Sequence, residues 1–203
     1  MLVQIVKPIK TASMLLCMLT ILTGVLYPAL ITTVAQLFFP WQANGSLLKQ
    51  QNVTIGSVLI GQNFTDAKYF AGRPSATAPN AYNAQHSSGS NLGPSNPELI
   101  RLYKQRIDEL YKFNEVSLKV WPIDLVAASG SGLDPEISID SAMLQVPRIA
   151  KQRKLNANKI EYLIKLLRKT DAIEVLNIPR VNVLELNLAL DQLATTLATT
   201  KEQ

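Results

Sequence analysis

The sequence predicts an α+β protein built as a single N-terminal transmembrane helix followed by one α+β domain. Two observations carry that prediction. From Thr11 to Leu48 there is no Asp, Glu, Lys, Arg or His. Beyond that run, strand-like and helix-like segments follow one another without regular alternation, which disfavours a doubly wound parallel sheet. A third observation narrows the chemistry: the 203 residues hold one cysteine, Cys17, and one histidine, His86.

The apolar run from Thr11 to Phe39 is mostly Leu, Ile, Val, Ala, Met and Thr. About 20 apolar residues cross a bilayer core as a helix, so this run suffices with some tilt. A cleaved secretory signal has a shorter apolar region, roughly 7–15 residues, and a small-x-small cleavage site. No such site is evident, and Leu16 before Cys17 argues against a lipoprotein. Residues 11–39 therefore read as an anchor and residues 1–10 as a cytoplasmic N-terminus. Lys7 and Lys10 precede the span, while only Lys49 follows within twenty residues. Positive charge stays on the cytoplasmic side, so the rest of the chain is expected periplasmic or extracellular at a bacterial inner membrane. Phe38, Phe39 and Trp41 read as an aromatic girdle at the outer interface. Gly24 and Pro28 lie mid-span. Gly24 would let a neighbouring helix approach, and Pro28 should kink this one, although both residue types are common in membrane helices anyway.

Residues 40–55 read as a polar connector and residues 56–203 as the extracytoplasmic domain. With its one cysteine inside the span, the chain closes no internal disulfide and the domain must rely on its core. About 160 residues are enough for that. Gly56 through Gln62 reads as a short strand bounded by glycines. Residues 71–97 follow as a long loop. In it 16 of 27 residues are Gly, Pro, Ser or Asn, a length that points to function or disorder. Asn96-Pro97 is a helix start, Asn capping and Pro at the first helical position, with the helix running to about Phe113. Residues 116–128 read as strand-like. Ser138 should cap a helix from Ile139 to about Lys151, disturbed by Pro147. A second helix is expected from Ala157 to about Lys169. Arg180 through Leu188 is a strand candidate, with a closing helix to about Thr199.

The candidates for chemistry are few. A Ser-His-Asp or Cys-His arrangement would have to use His86, in the long loop, or Cys17, in the span. A zinc site of His and Cys is not available. Ser46-Leu47-Leu48-Lys49 matches an S-x-x-K motif but lacks a K-T-G partner and sits at the membrane exit. Ser129-Gly130-Ser131-Gly132 could point backbone N–H groups at an anion. Without Gly-Lys-Ser/Thr it is no P-loop, and a tight turn explains it better. Asp124, Asp134, Glu136 and Asp140 could work as paired acids but are equally explained as turn and cap residues. The net charge is +5. Its clusters at Lys151–Arg153–Lys154 and Lys165–Arg168–Lys169 lack interleaved aromatics, so they read as solvated helix faces and no nucleic-acid partner is expected.

Several motifs occur together and in order. They are Gly56-Ser57 through Gln62, Tyr69 through Ala76, Tyr82-Asn83, Ser90 through Pro97, Asp124 through Ser138, and Pro179 through Asn187. In this set the chain resembles the C subunit of Kdp-type high-affinity potassium-transporting ATPases, over essentially its whole length. Ser88, Ala127 and Glu136 depart from residues common in that family. Glu136 stands where histidine is common, so no role of a histidine there carries over. The resemblance implies a non-catalytic accessory subunit needed for assembly, with a P-type ATPase subunit and a channel-like potassium-binding subunit as partners. It also implies a catalytic chaperone that raises the ATPase subunit's affinity for ATP. No cofactor is expected to be bound by this chain, ATP and potassium being handled by the complex. Apart from membrane lipid, the expected contacts are partner subunits reached through the polar loops, at Arg73, Ser90, Asn91, Pro94, Asn96, Ser129, Ser131 and Asp134. The alternative is a membrane-anchored cell-wall enzyme or binding protein.

Overall fold

The computed structural model describes residues 2–170 and 178–199, with side chains described for residues 8–170 and 178–196. Lys7 is outside the described side chains. The chain divides into two compact units, Met1–Thr54 and Ile55–Gln203. Helix and strand are mixed, as an α+β chain requires.

In the first unit, α1 (Leu2–Ile21), a π turn (Leu22–Leu26) and α2 (Tyr27–Phe38) follow without a break. Pro8–Phe38 is long and apolar enough to cross a membrane, with a mean hydropathy of 2.2 and no part buried within the chain. The disturbance expected at Pro28 takes the form of the π turn just before it. Pro28 has no N–H to give the carbonyl of Gly24, and its ring crowds that carbonyl. Widening the preceding turn relieves this, and the Tyr27 N–H reaches back to the Leu22 carbonyl. Residue Gly24 lies inside the π turn, with open space where a Cβ would stand. The expected connector is not irregular throughout. It forms α3 (Pro40–Ala43) and a two-stranded sheet of β1 (Leu47–Gln50) and β2 (Val53–Ser57). The second unit begins within β2, at Ile55.

The expected strand at 56–62 therefore ends early. After Ser57 the chain turns: Ser57 accepts from the N–H of Leu59 at its side chain (3.1 Å) and from the N–H of Ile60 at its carbonyl (3.3 Å). From there to Asn96 the backbone is irregular. Helix α4 (Pro97–Asn114) starts where expected, the Asn96 side chain accepting from the Glu98 N–H at 2.9 Å.

Residues 116–128 hold no strand. They contain a single helical turn, α5 (Ile123–Val126), which buries Leu125 and Val126. A short apolar run suits a buried helical turn as well as a strand, and the periodicity cannot separate them. Strand β3 (Glu136–Ser138) leads into α6 (Ile139–Arg153), capped by Ser138, whose hydroxyl accepts from the Ser141 N–H at 3.1 Å. Pro147 is exposed and α6 runs through it unbroken. Helix α7 is Ala157–Leu166.

The strand candidate at 180–188 is mostly helix. Only β4 (Arg180–Asn182) pairs, antiparallel to β3, with Ile137 opposite Val181. Helix α8 (Val183–Thr199) begins at once. The Asn182 side chain accepts from the Glu185 N–H at 3.1 Å, ending the strand and opening the helix. Buried Val183, Leu186 and Leu190 then fall at helical spacing.

The core of this unit lies where α6, α7 and α8 meet the β3–β4 pair. Ile149, Ile160, Ile164, Val181, Leu186 and Leu190 are fully buried there. Phe70 joins them from the irregular segment, also fully buried. Its segment has no strand neighbour to satisfy its backbone, so side-chain amides do so. Asn187 accepts from the Phe70 N–H (2.8 Å) and donates to the Phe70 carbonyl (3.0 Å). Gln145 does the same for Ala71, at 2.8 and 3.1 Å. Buried backbone groups left unpaired would cost about 1–3 kcal/mol each.

Candidate functional site: two interlocked polar loops

The long polar loop is stitched to the segment after α5. Arg73 Nη1 lies 2.8 Å from Asp134 Oδ2, both side chains about a quarter exposed. The other Asp134 oxygen accepts from the Glu136 N–H at 3.0 Å, shaping the turn through Pro135 into β3. Glu136 meets Arg180 at 2.5 Å across the β3–β4 pair. The acid at this departure position thus belongs to an intramolecular ion pair.

Five serines and a tyrosine complete the junction. Ser75 Oγ donates to the Gly132 carbonyl (2.7 Å) and accepts from the Tyr82 N–H (2.9 Å). Tyr82 folds back so that its hydroxyl donates to the Arg73 carbonyl at 2.6 Å. Burial first, and then the Asp134 carboxylate, push the Tyr82 phenol up to about 12, with Arg73 opposing. The Ser131 carbonyl accepts from the Ser88 N–H (2.9 Å) and the Ser87 hydroxyl (3.0 Å), and the buried Ser129 N–H donates to the Pro74 carbonyl at 3.4 Å. Gly132 has φ +68°, and a Cβ there would lie 2.6 Å from both the Ser88 oxygen and Thr77 Cγ2. The Ser-Gly repeat is therefore a tight turn that another loop closes over, held by the carbonyls of Ser131 and Gly132 and the N–H of Ser129.

The residues singled out in the sequence thus separate. Arg73, Ser129, Ser131 and Asp134 come together. Ser90, Asn91 and Pro94 are exposed, and Asn96 is a helix cap. Gly24 and Pro28 belong to the other unit. His86 is exposed. Among the described residues no three of His, Cys, Asp and Glu are grouped as metal ligands. Asp124 accepts from the Ser138 N–H (2.7 Å) and from the Ser141 hydroxyl (2.6 Å), so it reinforces the start of α6. Sequence reasoning missed Ser75, Tyr82 and Gly132 as members of the junction. Their partners are 7 to 57 residues away, and no spacing announces them.

Beside the junction lies a cavity of about 660 Å³, walled by Phe64, Arg73, Tyr82, Arg106, Phe113 and Leu125 among others. One of its walls is held by an unusual group. Arg148, 6% exposed, stacks on Phe113 at 4.2 Å and donates to Asn114 Oδ1 (3.0 Å), Gln145 Oε1 (2.8 Å) and the Ala67 and Tyr69 carbonyls. No carboxylate pairs with it among the described residues. Burial lowers its pKa to about 10, which leaves it charged at neutral pH.

Comparison with known proteins places this architecture. A family model described as the K+-transporting ATPase c chain, KdpC, matches residues 9–192. The chain is 50% identical over 184 residues to the potassium-transporting ATPase KdpC subunit of Methylococcus capsulatus, covering 91% of this chain and 97% of the relative. It is 51% identical over 177 residues to the KdpC subunit of Polynucleobacter asymbioticus, covering 87% and 94%. To that of Escherichia coli O157:H7 it is 48% identical over 175 residues, covering 86% and 92%. The match runs through the apolar helix and the interlocked loops alike, and the chain belongs to the KdpC family of K+-transporting ATPase c chains.

Proposed function

We propose that this chain is the accessory subunit of an ATP-driven, high-affinity potassium uptake complex, where it supports assembly and stability. The single observation behind this reading is the family match over residues 9–192, which takes in both the membrane-crossing helix and the domain. Its partners are a P-type ATPase subunit, which carries the catalytic residues, and a channel-like potassium-binding subunit. The N-terminus lies in the cytoplasm and the domain on the outer face.

The domain's chemistry suits such a role. The acids and arginines of the junction are engaged with each other, which favours a rigid platform over a proton shuttle. Ser90, Asn91 and Pro94 remain exposed on the long loop and are the groups we assign to partner contact. A catalytic-chaperone effect on ATP affinity fits best as indirect, with the membrane helix biasing partner conformation.

Expression without residues 1–40 tests the reading. The truncated domain is expected to lose co-purification with the membrane complex. Stable co-purification would show that the helix is not the main attachment. Hydrogen exchange tests the loops: residues 90–95 should gain protection in the complex, and equal protection in free and assembled chain would remove that role.

A further inference from the structure

Helix α7 has two faces. Ile160 and Ile164 are fully buried in the core, with Leu163 and Leu167 packed beside them. The opposite face carries Lys159, Tyr162, Lys165 and Leu166, all exposed and spaced three or four residues apart, so they share one stripe. Arg168 extends it past the helix end. Tyr162 and Leu166 are 67% and 65% exposed, an aromatic and a leucine set among cations. Among the described residues none of Lys159, Lys165 and Arg168 forms an ion pair. Lys169, by contrast, is paired to Glu185 at 2.7 Å.

From this face we infer a docking site for an anionic phospholipid surface. Unpaired cations around an exposed aromatic and an aliphatic side chain match the interfacial region of a bilayer, where charge meets headgroup phosphate and Tyr and Leu enter the boundary. Covalent linkage supplies the second argument. The same chain holds a membrane-crossing helix that ends at Phe38, and a short connector keeps the domain within tens of Å of the bilayer. Tethering at that range gives an effective concentration near the millimolar level, so a weak surface contact suffices. Each cation near an anionic surface contributes about fivefold in partitioning.

The full chain carrying Cys17→Ser and Tyr162→Cys, spin-labelled at residue 162, tests this in nanodiscs. Collisional accessibility to oxygen and to a water-soluble nickel chelate reports whether the label touches lipid. In phosphatidylcholine containing phosphatidylglycerol the label should gain oxygen and lose nickel accessibility, and high salt should reverse both. In phosphatidylcholine alone it should stay aqueous. Adding Lys165→Glu and Arg168→Glu should abolish the lipid signal without changing the circular dichroism spectrum or the unfolding midpoint. Equal accessibility in the two lipid compositions, or a signal that survives the charge reversals, would overturn the inference. Protection from the nickel reagent without a gain in oxygen accessibility would mean a protein contact and would also overturn it.

Discussion

Arg73 and Asp134 lie 61 residues apart in sequence and 2.8 Å apart in space, and this pair ties the long polar loop to the turn that leads into β3. Asp134 does two things: one oxygen takes the guanidinium and the other takes the Glu136 N–H. The two roles can be separated by substitution. Asp134→Asn keeps an oxygen for the turn and loses the charge, so about 1 kcal/mol is expected. Asp134→Ala loses both and should cost about 2–3 kcal/mol. Denaturant unfolding of the two variants checks the order. Equal losses would mean that the turn bond contributes nothing.

Tyr82 gives the junction a pH signature. Its folded pKa, about 12, lies above the ordinary phenol value near 10. Below pH 10 the phenol is protonated whether the chain is folded or not, so its contribution is fully present there. Between about 10 and 12 the unfolded chain ionises and the folded chain does not, and stability falls. Tyr82→Phe should cost about 1 kcal/mol at neutral pH, through the lost bond to the Arg73 carbonyl, and should flatten the alkaline decline. The difference between the two unfolding profiles from pH 9 to 12 measures it.

Gly132 and Gly130 make a matched pair. Alanine at 132 would bring a Cβ into backbone at a φ that L residues rarely adopt, while at 130 nothing lies within 4 Å. Gly132→Ala should cost about 2–4 kcal/mol and Gly130→Ala less than about 0.5. Thermal unfolding distinguishes them. Similar midpoints would mean that the 71–89 loop does not close over the turn in solution.

The parts legible in the sequence were local. The uncharged run, the Asn96 and Ser138 caps and the two helices after them depend on near neighbours, and near neighbours are what a sequence displays. Val181-Asn182-Val183-Leu184-Glu185-Leu186 misled because its apolar residues satisfy both a two-residue and a helical period. The helix forms because Asn182 caps Glu185 and because Leu186 and Leu190 find the core, a tertiary outcome. The junction was half legible. Its charged and serine members stood out by type, but what binds Arg73 to Asp134 or Ser75 to Gly132 is a fold that brings distant loops together. The amide pairs that hold Phe70 and Ala71 gave no signal at all, since a buried Asn187 and Gln145 look like any polar residue on a helix.

Arg148 yields the sharpest prediction. Among the described residues its buried charge has no paired acid, and four hydrogen bonds from one guanidinium satisfy α4, α6 and the segment before Phe70 at once. A lysine can supply charge but not a planar fork, so it cannot reach Asn114, Gln145 and both carbonyls together. Arg148→Lys should therefore lose nearly as much stability as Arg148→Met, about 3–4 kcal/mol each, because in both cases buried acceptors are left without donors. Were charge alone the requirement, lysine would hold most of the stability. Denaturant unfolding of both variants, with hydrogen exchange at Phe113–Glu115 as the local readout, decides between the two. The expected result is that exchange at the end of α4 quickens in both variants, since Arg148 is what joins Asn114 to the rest of the domain.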